Sequence, residues 1–207
     1  MSKSSPILIR GIIPAAGAGR RFTDASVGQE PAADIKQLAL IGGKPMLVEV
    51  MDLLEKAEVN EIICVVSTAI RQAICTIRPA TPKRLYIIND RPTGPMLESV
   101  QMGLAAALGQ PLDQSERATG GKTVGYLICP GDCPYITPKA VRRCLAAFAD
   151  RPETITVAAH LGIRGHPIIL PKDVACLVAS WPLTERLDSL SGRYAGRFQQ
   201  VETGESG

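Results

Sequence analysis

Residues 7 to 22 read ILIRGIIPAAGAGRRF, and this stretch decides the fold. Its first half is β-branched and apolar, which predicts a strand that delivers the following loop to the rim of a sheet. In the second half Gly17 and Gly19 stand among Ala15, Ala16 and Ala18, so no bulky side chain shields the backbone N–H groups from an approaching anion. A structural turn needs fewer small residues. Arg20 and Arg21 follow at once, where a phosphate would be met.

Apolar runs of the kind buried in parallel sheets recur at EIICVVS (61–67), RLYIIN (84–89), VGYLICP (124–130) and ETITVAA (153–159). Between them PMLVEVMDLLEKA (45–57), AIRQAICTI (69–77), MLESVQMGLAAALG (96–109) and PKAVRRCLAAFA (138–149) space their apolar residues three and four apart, as helices do. The alternation predicts a three-layer α/β fold: a Rossmann-like, mostly parallel sheet with helices on both faces. At 207 residues it reads as one domain spanning 1–207, with a polar inserted loop at 23–34 that could act as a lid and a surface loop at 110–122.

The net charge of +3 is spread along the chain, so composition gives no reason to expect nucleic acid binding. The absence of a ~20-residue apolar run and of a signal peptide predicts a cytoplasmic protein without a membrane span. Cys64, Cys75, Cys129, Cys133, Cys144 and Cys176 form no CxxC pair and read as reduced, mostly structural thiols.

Ligands of open parallel sheets bind outside the carboxyl ends of the strands. Three loops are predicted to share that rim: AAGAGRR, DRPTGPMLES (90–99) and GDCPYITP (131–138). Asp132 could hold a divalent cation, since hard Mg²⁺ favours carboxylate and phosphate oxygens; equally, it could cap the helix near Thr137. His166 could meet a second substrate or could sit in a hairpin before the strand PIIL. A dinucleotide-dependent oxidoreductase is disfavoured, because the loop lacks the third glycine of GxGxxG and EIICVVS does not end in an acid.

PAAGAGRRF, KQLALIGGKPMLVEV (36–50) and CPGDCPYITP (129–138), in this order, resemble the nucleotidyltransferases that make the cytidine and guanine dinucleotide forms of the molybdenum cofactor, the MobA-like NTP transferases. RGHPIIL (164–170) looks like the segment that closes over their second substrate. The resemblance implies a fold of the nucleotide-diphospho-sugar transferase type. It implies that the backbone of Ala15, Ala16, Gly17, Ala18, Gly19 and Arg20 cradles the triphosphate, and that Arg21 and Lys36 reach the phosphates. It makes Asp132 the Mg²⁺ ligand, assigns Asn89, Gly94 and Ser99 to the nucleotide-side loop, and assigns Arg164, Gly165 and His166 to the acceptor. Ala-Ala-Gly, where the guanylyl branch has Ala-Gly-Gly, points to CTP.

The implied reaction joins CMP to a phosphate monoester such as molybdopterin and releases pyrophosphate; a molybdoenzyme or cofactor-insertion protein is the implied docking partner. ESVQMGL (98–104) is closer to the methylerythritol-phosphate cytidylyltransferases, which keeps a sugar or polyol phosphate open as acceptor. An insertion separates Arg21 from Lys36, and the sequence ends at VETGESG without the relatives' acidic Asp-Thr-Pro segment, leaving Asp188 or Glu202 as candidates for a second carboxylate. A nucleotide-binding accessory protein without catalysis is the alternative from another class.

Overall fold

The computed structural model describes residues 7–17, 35–91, 93–110 and 123–204. All five predicted strands form: β1 (Ile7–Pro14), β4 (Glu61–Val66), β5 (Arg84–Ile88), β6 (Thr123–Ile128) and β7 (Ile155–His160). A short hairpin supplies β2 (Leu40–Ile41) and β3 (Lys44–Pro45), while β8 (Ile163–Pro171) and β9 (Phe198–Glu202) complete the sheet. The seven strands of the main sheet lie in the order β5-β4-β1-β6-β8-β7-β9. Only β8 runs against its neighbours β6 and β7. The sheet is therefore mostly parallel, and after β5 the chain crosses to the other side of β1 to lay down β6.

Strand side chains alternate between two cores, as a pleated sheet requires. Ile9 and Ile13 of β1 pack beneath α1 (Met46–Lys56) and α4 (Pro138–Asp150), with Leu47, Met51, Cys144 and Phe148. Ile12 faces the opposite core, built on α3 (Met96–Gly109) and α5 (Lys172–Ala179) with Leu97, Leu104, Val174 and Val178. Fully burying one such aliphatic side chain contributes roughly 1.5–3 kcal/mol, so both faces of the sheet must be covered. The helix starts follow local chemistry. Ser67 Oγ accepts from Ile70 N at the head of α2 (Thr68–Ile74), and Thr137 Oγ1 accepts from Ala140 N at the head of α4, whose first residue is Pro138.

One residue of the apolar first strand is charged. Arg10, 2% exposed, donates to Glu61 Oε2 at 2.8 Å and to Ala107 O at 2.6 Å, so a buried guanidinium ties β1 to the carboxyl end of α3. Among the described residues no helix is long and apolar enough to cross a membrane.

Candidate active site

The rim of the sheet gathers the loops that follow β1, β5 and β6. Ala15 N donates to Val65 O at 2.8 Å, which extends the strand pairing into the small-residue loop, and Gly131 N reaches Pro14 O at 3.2 Å. Gly131 permits that approach: a Cβ there would lie 2.8 Å from Ala15 Cβ and 3.1 Å from Leu47 Cδ1. With the two loops in contact, Ala15, Ala16, Gly17, Lys36, Gln37 and Asp132 line one cavity of about 560 Å³, closed on its far side by Arg91, Gly94, Pro95, Met96 and Ser99.

Lys36 and Asp132, far apart in sequence, meet there with Nζ and Oδ2 at 2.8 Å. Asp132 is thus committed to the cavity, and helix capping falls to Thr137. Gln37, in the same 3-10 turn as Lys36, donates through Nε2 to Gly17 O at 3.0 Å. Cys133 is half-buried beside Asp132; burial and that neighbouring charge push its thiol up to about 11, so at neutral pH it is protonated and a poor nucleophile. Burial, with Cys133 and Asp132 nearby, likewise raises the thiol of fully buried Cys129. The six cysteines are all free.

Of the nucleotide-side residues, Gly94 and Ser99 line the cavity and Asn89 does not. Asn89, 5% exposed, spends its amide on Ser99 Oγ at 3.0 Å and accepts from Arg91 N at 3.1 Å, which shapes the loop leading into α3. Ala18, Gly19, Arg20 and Arg21, together with the insertion at 23–34 and most of the 110–122 loop, lie outside the described residues.

A second cavity of about 620 Å³ shares Pro95 and Met96 with the first, so the opening turn of α3 is the wall between them. Arg164, Gly165 and His166 line it together with Val157, Ile168, Leu187 and Phe198. Arg164 stacks over the Phe198 ring, its Cζ 5.1 Å from the centroid. His166 lies within β8, reached after the hairpin turn, and not in a hairpin ahead of the strand. Burial lowers the pKa of its imidazole, against the pull of the Asp132 charge and a hydrogen bond to the Ile128 backbone, so the ring is neutral at pH 7. Its Nδ1 has no hydrogen-bond partner among the described residues.

The two candidates for a second carboxylate fall elsewhere. Glu202 accepts from Leu161 N and Gly162 N and so secures the turn between β7 and β8, while Asp188 lines the second cavity. Sequence reading gave Gln37 no role, and of the 185–191 segment on the second cavity it named Asp188 alone; Pro95 and Met96 fall in the 90–99 loop it placed on the rim, without their position between two cavities. A polar residue next to Lys36 was a signal for Gln37; nothing in the pattern marked the rest of 185–191.

Solved structures share this fold. The crystal structure of Rv0371c from Mycobacterium tuberculosis H37Rv is 17% identical, with a TM-score of 0.68 over 97% of this chain and 89% of that one; the same protein is also solved in complex with manganese. A nucleotidyl transferase from Methanothermobacter thermautotroptrophicus is 22% identical, with a TM-score of 0.67 over 96% and 88%. The 4-diphosphocytidyl-2C-methyl-D-erythritol synthase of Anaerococcus prevotii is 17% identical, with a TM-score of 0.62 over 94% and 86%. No curated protein matches the chain. The profile of the MobA-like NTP transferase domain matches residues 11–198, and the chain belongs to that family. It is a nucleotidyltransferase.

Proposed function

We propose that this nucleotidyltransferase transfers CMP from CTP to the phosphate of molybdopterin, forming a new diphosphate bond and releasing pyrophosphate. The carrying observation is that one cavity lined by Gly17, Lys36 and Asp132 adjoins, across Pro95 and Met96, a second cavity lined by Arg164 and His166. That second cavity joins apolar Val157, Ile168, Leu187 and Phe198 and a stacked arginine to the polar Glu185, Arg186, Asp188 and Ser191, which suits a flat ring system with hydrogen-bonding edges.

In this reaction an oxygen of the acceptor phosphate attacks the α-phosphorus and the bond to pyrophosphate breaks. The acceptor is already an oxyanion, so no protein nucleophile or base is required. What the protein must supply is offset for the charge of two anions and for the charge that develops on the α-phosphoryl oxygens. In this reading the amides of Gly17 to Arg20 hold the triphosphate, Arg21 binds it bidentately, and Lys36 leaves Asp132 to neutralise the α-phosphate. Arg164 and neutral His166 orient the acceptor.

A divalent cation, Mg²⁺ by preference, fits the donor set. Among the described residues no three His, Cys, Asp or Glu side chains converge, so there is no all-protein cage, but Asp132 offers one carboxylate on the nucleotide cavity. Mg²⁺ is characteristically bound by one or two carboxylates plus substrate phosphates. Bound there, it would supply electrophilic polarisation of phosphoryl oxygens. The manganese complex of Rv0371c supports a divalent cation in such a fold.

The test is pyrophosphate release with CTP, GTP, ATP and UTP in turn, with Mg²⁺ and molybdopterin, and Asp132→Ala as control. Release with CTP alone, lost in the control, is expected; no release with molybdopterin rejects the acceptor. A second reading keeps cytidylyl transfer and takes a polyol phosphate, favoured by ESVQMGL, by Ser99 on the nucleotide cavity and by the fold shared with the methylerythritol synthase. Methylerythritol phosphate in the same assay separates the two.

A further inference from the structure

We infer that Gln37 is a positioning residue for the nucleoside triphosphate, holding the entrance of the small-residue loop in register with Lys36. The inference rests on this cavity being the nucleotide site and is independent of the acceptor. Lys36, Gln37 and Leu38 form a single 3-10 turn, and its first two side chains reach in different directions. Lys36 crosses to Asp132 on the loop after β6; Gln37 reaches Gly17 O on the loop after β1, at 3.0 Å. One turn therefore braces two of the three loops that line the cavity.

The bond to Gly17 O has a directional consequence. A trans peptide points its C=O and its N–H to opposite sides, so the bond from Gln37 fixes the direction in which the Gly17 carbonyl points. Left free, the same carbonyl could swing toward the phosphates and repel them, since both are acceptors.

The cost of this arrangement argues that it is kept for function. Gln37 is 7% exposed, and its Oε1 is buried without a hydrogen-bond partner among the described residues. An unmet buried acceptor cancels much of what the single bond to Gly17 contributes, so an apolar side chain of the same length would serve packing at least as well.

Two variants that keep the side-chain volume test the inference, Gln37→Met and Gln37→Glu, with three readouts: Mg·CTP affinity by calorimetry, the melting temperature of the ligand-free protein, and KM against kcat for nucleotide and acceptor. For Gln37→Met we expect a melting temperature at or above wild type, nucleotide affinity weakened about tenfold, and an unchanged acceptor KM. Gln37→Glu, which sets an acceptor against Gly17 O, is expected to bind nucleotide more weakly still. Affinity of Gln37→Met within about twofold of wild type would overturn the inference, as would wild-type binding by Gln37→Glu. A ligand-free melting temperature that falls with the affinity by more than about 5 °C would make Gln37 structural and overturn it too. Wild-type protein that binds no triphosphate would reject the nucleotide site itself, a result distinct from equal binding by wild type and variants.

Discussion

Lys36 and Asp132 sit 2.8 Å apart with side chains 35% and 42% exposed. At that exposure an ion pair contributes about 0–1 kcal/mol, so its value to the fold is small. Lys36→Met is accordingly expected to keep the melting temperature within a few degrees while cutting turnover by about 10²–10³, the usual loss for a group aimed at developing charge; thermal melts and pyrophosphate release check both halves. Arg10 is the opposite case. Its guanidinium is buried, and Arg10→Ala strands the Glu61 carboxylate and the Ala107 carbonyl, with an expected loss of about 3–5 kcal/mol by denaturant titration. Asp52 gives a pH signature. Burial would raise its carboxyl, but hydrogen bonds from Lys44 and Arg78 outweigh that and hold it below the ordinary 3.8. A depressed acid stabilises the fold above its unfolded value and loses that contribution as pH falls through its folded value. Asp52→Asn should therefore melt below wild type at pH 7, with the gap closing below about pH 4. None of these three roles was legible in the sequence as a pair, because each partner lies on another element: Asp132 was singled out for a cation and Lys36 for phosphates, and nothing in the spacing brought them together.

At the scale of elements the sequence was more informative, and the reason is periodicity. ILIRGII, EIICVVS and VGYLICP alternate between two cores, and PKAVRRCLAAFA keeps one apolar stripe, so strand and helix were distinguishable without tertiary knowledge. Two close approaches were not. Gly103 lets α3 lie against β1, where a Cβ would stand 2.4 Å from Ile12 Cγ2. Replacing a helical glycine with alanine gains about 1 kcal/mol in propensity, whereas overpacking costs about 1–3. Ile12 is fully buried and Val65 Cγ2 stands 3.3 Å from the same Cβ, so Gly103→Ala is expected to destabilise by up to about 2 kcal/mol, read from its melting curve. Gly131→Ala works on the site instead. By forcing the loops after β1 and β6 apart it should raise the nucleotide KM more than the acceptor KM. The direction of β8 also escaped the sequence: a strand reads the same in either orientation, so RGHPIIL gave no sign that Arg164 and His166 stand at the strand's beginning.

For the molecule as a whole, the rim rule was enough to say that the loops after β1, β5 and β6 would meet, because parallel strands present equivalent ends to one side. It could not say that the meeting place would be divided in two. Residues 180–197 show no sustained period, and they contribute Leu187 and Asp188 to the second cavity through short turns that only the completed sheet positions. The division itself is a single helical turn. Pro95 and Met96 border both cavities, so a ligand that shifts this turn on one side remodels the other side as well. Linkage then makes the effect mutual: whatever factor an occupant of the first cavity imposes on the affinity of the second, the second returns unchanged to the first. A ligand that moves a partition this thin makes two neighbouring chambers one thermodynamic system, in which neither affinity is a property of its own walls alone.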